Sequence, residues 1–169
     1  MISDDERAAI EQRATQGDVA AQIYLGWAYS EHGPFAHDST LAEHWYRLAA
    51  RSKQTEALRR LARFLYDRQS EEARSWAEIL VKQNDFYGYY LMGHMLLHGD
   101  CGVKRDRNAG LRNLEISAMQ GHLVSKLDLL KHGTHYYFLG PVSVLRIAAV
   151  MAKIFYTLLR SPGSMAVYR

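Results

Sequence analysis

The chain has 169 residues, 48% of them hydrophobic and 23% charged, the make-up of one globular domain long enough for a sizeable core. Its single cysteine, Cys101, excludes an internal disulfide and agrees with a reducing compartment. The net charge of +3 is uneven: through Asp128 there are 16 basic and 18 acidic residues, and after it 5 basic and no acidic ones, which leaves the body a poor electrostatic match for nucleic acid.

The opening, MISDDERAAIEQR, is acidic and lacks the apolar stretch of a secretory signal peptide, so the expected location is the cytoplasm. Ser3 followed by Glu6 fits a capping box. Residues 1–15 are expected to form a capping helix, with Ala9, Ile10 and Ala14 facing the next unit. From Gln16 to Ser52 the pattern is two amphipathic helices joined by a loop at Gly33-Pro34. Ala21, Leu25, Gly26 and Tyr29 mark the first helix, and Ala42, Trp45, Tyr46, Ala49 and Ala50 the second.

That unit repeats. A shift of 36 residues carries Ala21, Leu25 and Gly26 onto Ala57, Leu61 and Ala62, with a loop shortened to Arg68-Gln69-Ser70 before Ala73 and Trp76. A third unit starts near Asn84, with Met92-Gly93 in the Leu25-Gly26 place and Leu96 in that of Tyr29. Its loop is Gly99-Asp100-Cys101-Gly102-Val103, and its second helix ends at Ala118 to Gly121. Ser125 and Leu129 continue the register. Helices are expected near 18–31, 39–52, 54–67, 70–83, 86–98, 106–120 and 122–131, with no long strand pattern. The fold class is therefore all-α.

The residues just named resemble the Sel-one-like repeat, a relative of the tetratricopeptide repeat. The second unit departs from that pattern in lacking a Gly-rich loop, and the third has Asn113-Leu114 where Trp-Tyr is usual. The resemblance implies a right-handed α-solenoid over 1–133: the capping helix, repeats at about 16–52, 53–83 and 84–120, and a half repeat at 121–133. It also implies that the first helix of each pair lines a concave surface. On a helical wheel Tyr24 and Trp27, then Arg59, Arg60, Arg63 and Asp67, then Tyr90, Leu91, His94 and His98 fall on that side. Arginine forks and rigid aromatic rings there suit a peptide-binding groove. The competing reading is a solvated face with Trp27 and Tyr90 packed under a neighbouring loop. The candidate partner-binding residues are Tyr24, Trp27, Arg59, Arg60, Arg63, Tyr90 and His94.

Chemistry-bearing motifs are sparse. No G-x-S-x-G, phosphate-binding loop or paired-cysteine motif occurs, so no catalytic residue and no cofactor are assigned. His94 and His98 have a spacing that can hold a metal, but no Cys/His cluster supports them, and no metal site is expected. His44, His122, His132 and His135 read as scattered surface or loop residues. The aromatic run Phe86 to Tyr90 reads as packing between repeats.

Residues 134–169 form a separate basic, apolar segment, with a helix expected from Pro141 to Arg160. Arg146, Lys153 and Arg160 share one face, and Phe155 lies on the other. Three roles remain open: closing the solenoid, lying on an anionic membrane surface, or spanning a membrane. The expected function is a non-catalytic adaptor that binds another protein or peptide, an acidic one among the options, with peripheral attachment to the inner face of the membrane as an additional option. The alternative is a membrane-anchored structural or accessory subunit of an envelope or polysaccharide-assembly system. Neither nucleic acid nor a small-molecule substrate is expected as a partner.

Overall fold

The computed structural model describes residues 3–132 and positions 149, 152, 153 and 156. Apart from those four positions, the expectations for 134–169, including Arg146, Phe155 and Arg160 and the 136–160 membrane or cap helix, lie outside the described residues. Lys153 is described, and is helical and exposed.

The described elements are eight α-helices: α1 (Asp4–Thr15), α2 (Val19–Ala28), α3 (Ser39–Ala50), α4 (Thr55–Asp67), α5 (Glu72–Lys82), α6 (Phe86–His98), α7 (Arg107–Met119) and α8 (Leu123–His132). Their limits fall within a few residues of those read from the sequence. Consecutive helices pack on one another, and α4 also touches α2 and α6. The first helices of the pairs thus form one row and the second helices a parallel row.

Local chemistry starts and stops these helices. Ser3 and Glu6 form the expected capping box on α1. Asp38 and Asp106 cap α3 and α7 in the same geometry, at φ −140°, ψ 96° and φ −141°, ψ 97°. Their own N–H groups donate back to Tyr29 O (3.0 Å) and Leu96 O (2.8 Å), so equivalent positions do equivalent work. Helix ends are followed by one left-handed residue: Gly17, Lys53, Gln69, Asn84, Gly99 or Gly121. The expected stop at Gly99 takes this form, at φ 82°. After α2 the chain turns differently, with Phe35 N–H bonding to Ala28 O.

The core runs continuously between the rows. Leu25, Leu61, Leu80, Leu91, Met95 and Leu114 are fully buried, and Trp45 and Tyr46 are buried with them. Two positions differ from the wheel. Ala9 is exposed, because the contact of α1 with its neighbour is made through Ala14 and Ile10. Leu91 is buried in the core and not on an open face, because α6 packs on α4, α5 and α7 at once.

Candidate functional site

A cavity of about 700 Å³ opens where α2, α3 and α4 meet. Its aromatic wall is Trp27 from α2, Tyr46 from α3 and Phe64 from α4. Arg60, Arg63 and Asp67 come from α4 and Arg68 from its C-terminal end. Ser30, Glu31, His32 and His37 from the α2–α3 loop form the rim. Three repeat positions converge because Gly26 lets the α3 ring of Tyr46 lie directly on α2. Tyr46 then meets Phe64 at 5.4 Å between ring centroids.

The charges are held in place. Arg60 donates to Glu56 Oε1 at 2.7 Å and Arg63 to Asp67 Oδ2 at 2.7 Å. The charge of Arg63 also acts on Tyr87 and Tyr90, working against the rise in pKa that burial imposes on both phenols. Burial opposes its charge, but contacts with Tyr87, Asp67 and Tyr90 outweigh that, and its pKa is raised. Arg68 lies over the ring of Phe64, 5.4 Å from the centroid. Burial pushes the Tyr46 phenol up to about 12, so at neutral pH it remains a neutral donor and acceptor.

Of the residues predicted from the sequence, Trp27, Arg60 and Arg63 line this cavity, and Tyr24, Arg59, Tyr90 and His94 do not. Tyr24 packs edge-on against Trp27 (5.5 Å) and Phe35 (6.5 Å), behind the wall. Arg59 is turned towards the next repeat. It donates through Nε to Asp85 Oδ1 at 3.0 Å and lies 4.4 Å over the Phe86 ring. The expectation that it stands beside the groove as a donor fork is corrected: Asp85 and Phe86 occupy the guanidinium. Tyr90 and His94 belong to a second cluster under α8, where Tyr90 touches both His94 and His122 at 4.7 Å. His94 Nε2 meets Asp128 Oδ2 at 3.0 Å. The residues that the wheel puts on one side therefore fall into two clusters, one around Trp27 and Arg63 and one around Tyr90 and His94, with Arg63 and Tyr90 close enough to interact electrostatically.

His122 is buried, at 4% exposure, not a surface residue. It precedes α8, and its Nδ1 lies 2.8 Å from Ser125 Oγ. Ser125 Oγ donates to Ser117 Oγ (2.8 Å), which donates to Phe86 O (2.8 Å). This chain fixes the start of α8 to α6 and α7. Sequence reasoning missed Tyr46, Phe64 and Arg68 as cavity residues, together with the loop histidines. Phe64 was legible as the next position after Arg63 on the same helix, whereas His32 and His37 depend on a loop path that no periodicity encodes. Among the described residues, no group of three or more His, Cys, Asp or Glu is placed to hold a metal ion, and no helix is long and apolar enough to cross a membrane.

A Sel1 repeat family model matches residues 19–53 and 87–122. No curated protein matches the chain. Among solved structures it is similar to a Sel1 repeat protein from Oxalobacter formigenes, with a TM-score of 0.60 and 23% identity over 72% of this chain and 51% of that one. It is also similar to c5321, a protective antigen present in uropathogenic Escherichia coli strains that displays an SLR fold. There the TM-score is 0.61 and the identity 22%, over 85% of this chain and 32% of that one. The chain spans about half the length of the first structure and about a third of the second, and at these identities the likeness bears on the fold. The atomic equivalence of Asp38 with Asp106, and of Gly26 with Gly93, falls inside the two matched segments. The chain thus carries Sel1 repeats at two segments of an all-α solenoid.

Proposed function

We propose that the chain is a non-catalytic scaffold that holds a segment of a partner protein in the cavity between α2, α3 and α4. The observation that supports this is the convergence of Trp27, Tyr46 and Phe64 with Arg63 in an open hollow of about 700 Å³. Aromatic and arginine side chains are the residue types that dominate binding energy at protein interfaces. Here they stand on three packed helices, so little ordering cost falls on the scaffold when a partner arrives. The work is assigned to the repeats of 1–133.

Peptide display on the purified full chain tests the reading. Selected peptides should bind with micromolar dissociation constants and weaken at least tenfold on the double variant Trp27→Ala/Phe64→Ala, with its helical circular dichroism retained. Selected peptides that bind the double variant as well as the parent would place binding elsewhere and end the reading.

A further inference from the structure

The cavity's charge is lopsided, and one cation in it stands apart. Arg60, Arg63 and Arg68 face only Glu31 and Asp67 among the lining residues. Arg63 is tied to Asp67, and Arg60 to Glu56 outside the cavity. Arg68 forms no ion pair among the described residues; its contact is the Phe64 ring. A guanidinium over a ring keeps its N–H donors for a planar acceptor, and the acceptor that matches that fork is a carboxylate. Arg68 is also exposed, and it lines a second hollow of about 270 Å³ with Ser39, Thr40, Glu43, His44 and Arg47. Arg68 is thus common to the lining of both hollows. A path that passes from one into the other fits an extended chain better than a compact small molecule, which would fill one of them.

Resting on the scaffold reading above, we propose that the bound segment is an extended acidic peptide: a side-chain carboxylate seats on Arg68, which both hollows share, while an apolar side chain packs on Trp27 and Phe64. Arg60, Arg63 and Arg68 outnumber Glu31 and Asp67 around the cavity, and that excess of positive charge disfavours a basic segment in the same place. Attraction across the rim is screened by salt, so affinity falls as ionic strength rises.

Fluorescence anisotropy on the full chain tests this with labelled twelve-residue peptides of alternating Glu and Leu, Gln and Leu, or Lys and Leu, each amidated at the C-terminus. A fourth peptide, of Gln and Leu, keeps its terminal carboxylate. The Glu peptide should bind at least tenfold more tightly than the amidated Gln peptide, and the Lys peptide more weakly still. Arg68→Gln should remove most of that tenfold preference without moving the thermal midpoint, and Arg68→Lys should restore only part of it. Equal binding of the Glu and Gln amides, or an Arg68→Gln variant that keeps the preference, overturns the proposal. Equal affinity for the Glu amide and the Gln peptide with a free terminus also overturns it, in favour of a terminal carboxylate. If the Gln amide binds as well as the Glu amide but is lost on Trp27→Ala/Phe64→Ala, the acidic preference falls and the scaffold reading stands. If no peptide binds, the acidic proposal falls, and the scaffold reading rests on the display experiment.

Discussion

The ring of Tyr46 lies flat against the backbone of Gly26. A methyl added to Gly26 would come within 2.6 Å of Cδ1 and 2.7 Å of Cε1. That contact holds α3 on α2, and it also places a wall of the cavity, because the same ring faces Phe64 and the opening. Tyr46 is 5% exposed and cannot swing outward without emptying the core beneath it. Gly26→Ala should therefore destabilise the fold by about 1–3 kcal/mol, the usual cost of overpacking. Urea denaturation gives the value. A variant within about 0.5 kcal/mol of the parent, an ordinary surface effect, would mean that the two helices separate easily and that the wall is soft.

Arg59 and Asp85 join the second repeat to the third. Asp85 accepts from Arg59 Nε at 3.0 and 3.1 Å on its two oxygens and also receives Tyr87 N–H at 3.0 Å, as the cap of α6. Burial works against the Arg59 charge, but the hydrogen bond and charge of Asp85 outweigh it and leave the pKa raised. Asp85→Ala removes the cap and leaves a guanidinium whose side chain is only 25% exposed with the more distant Glu56, at 3.8 Å, as its remaining ion-pair partner. The expected loss is about 3 kcal/mol, at the low end for breaking a buried pair. Arg59→Met, which keeps much of the packing on Phe86, should cost less. Equal costs for the two variants would show that the cap and the weakened pairing of the Arg59 charge count for little.

The capping aspartates offer a test of repeat equivalence. Asp38 Oδ1 accepts from Leu41 N–H and Asp106 Oδ1 from Ala109 N–H, both at 2.9 Å. Asp38→Ala and Asp106→Ala should each cost about 1 kcal/mol, the typical value for an N-cap. Because the geometries coincide, the two losses should agree within about 0.5 kcal/mol. Chemical denaturation of the single variants measures both, and a twofold or larger disparity would show that neighbouring packing, not the cap, sets the energy.

These aspartates explain why the fold is so legible. Asp38, Trp45, Tyr46 and their counterparts act through local geometry or through burial on one helical face, and both are periodic in the sequence. The site is less legible because its residues act across repeats. Arg59 lies on the face that the wheel assigns it, yet its long side chain reaches Asp85, 26 residues further on, and no spacing rule announces that partner. Arg68 follows the last residue of α4 and so falls outside the helical face that the wheel selects. His122, between Gly121 and Leu123, has the sequence surroundings of a loop residue, because the chain that buries it runs through Ser125 and Ser117 to the backbone of Phe86.

That same burial sets a pH dependence. The pKa of His122 is pushed down from 6.5 to about 4, first by desolvation, with the charge of Asp128 opposing and those of His94 and Arg59 assisting. A native state that refuses a proton which the unfolded chain accepts loses stability as pH falls. The contribution is complete above about pH 6.5, the unfolded value, and is lost on the way down to about 4. A displacement of that size corresponds to a loss on the order of 3 kcal/mol. Asp128 adds to the acid limb at lower pH. Burial works against its charge, but His94, Lys131 and His132 outweigh that and hold its pKa below 3.8, so its share disappears only as pH falls through that lowered value. Urea unfolding from pH 7 to pH 4 should show a steady decline in the parent. His122→Asn keeps a side chain able to bond Ser125 but cannot titrate, so the variant should start less stable at pH 7 and decline with a distinctly shallower slope. An unchanged slope in His122→Asn would move the origin of the acid sensitivity away from the start of α8.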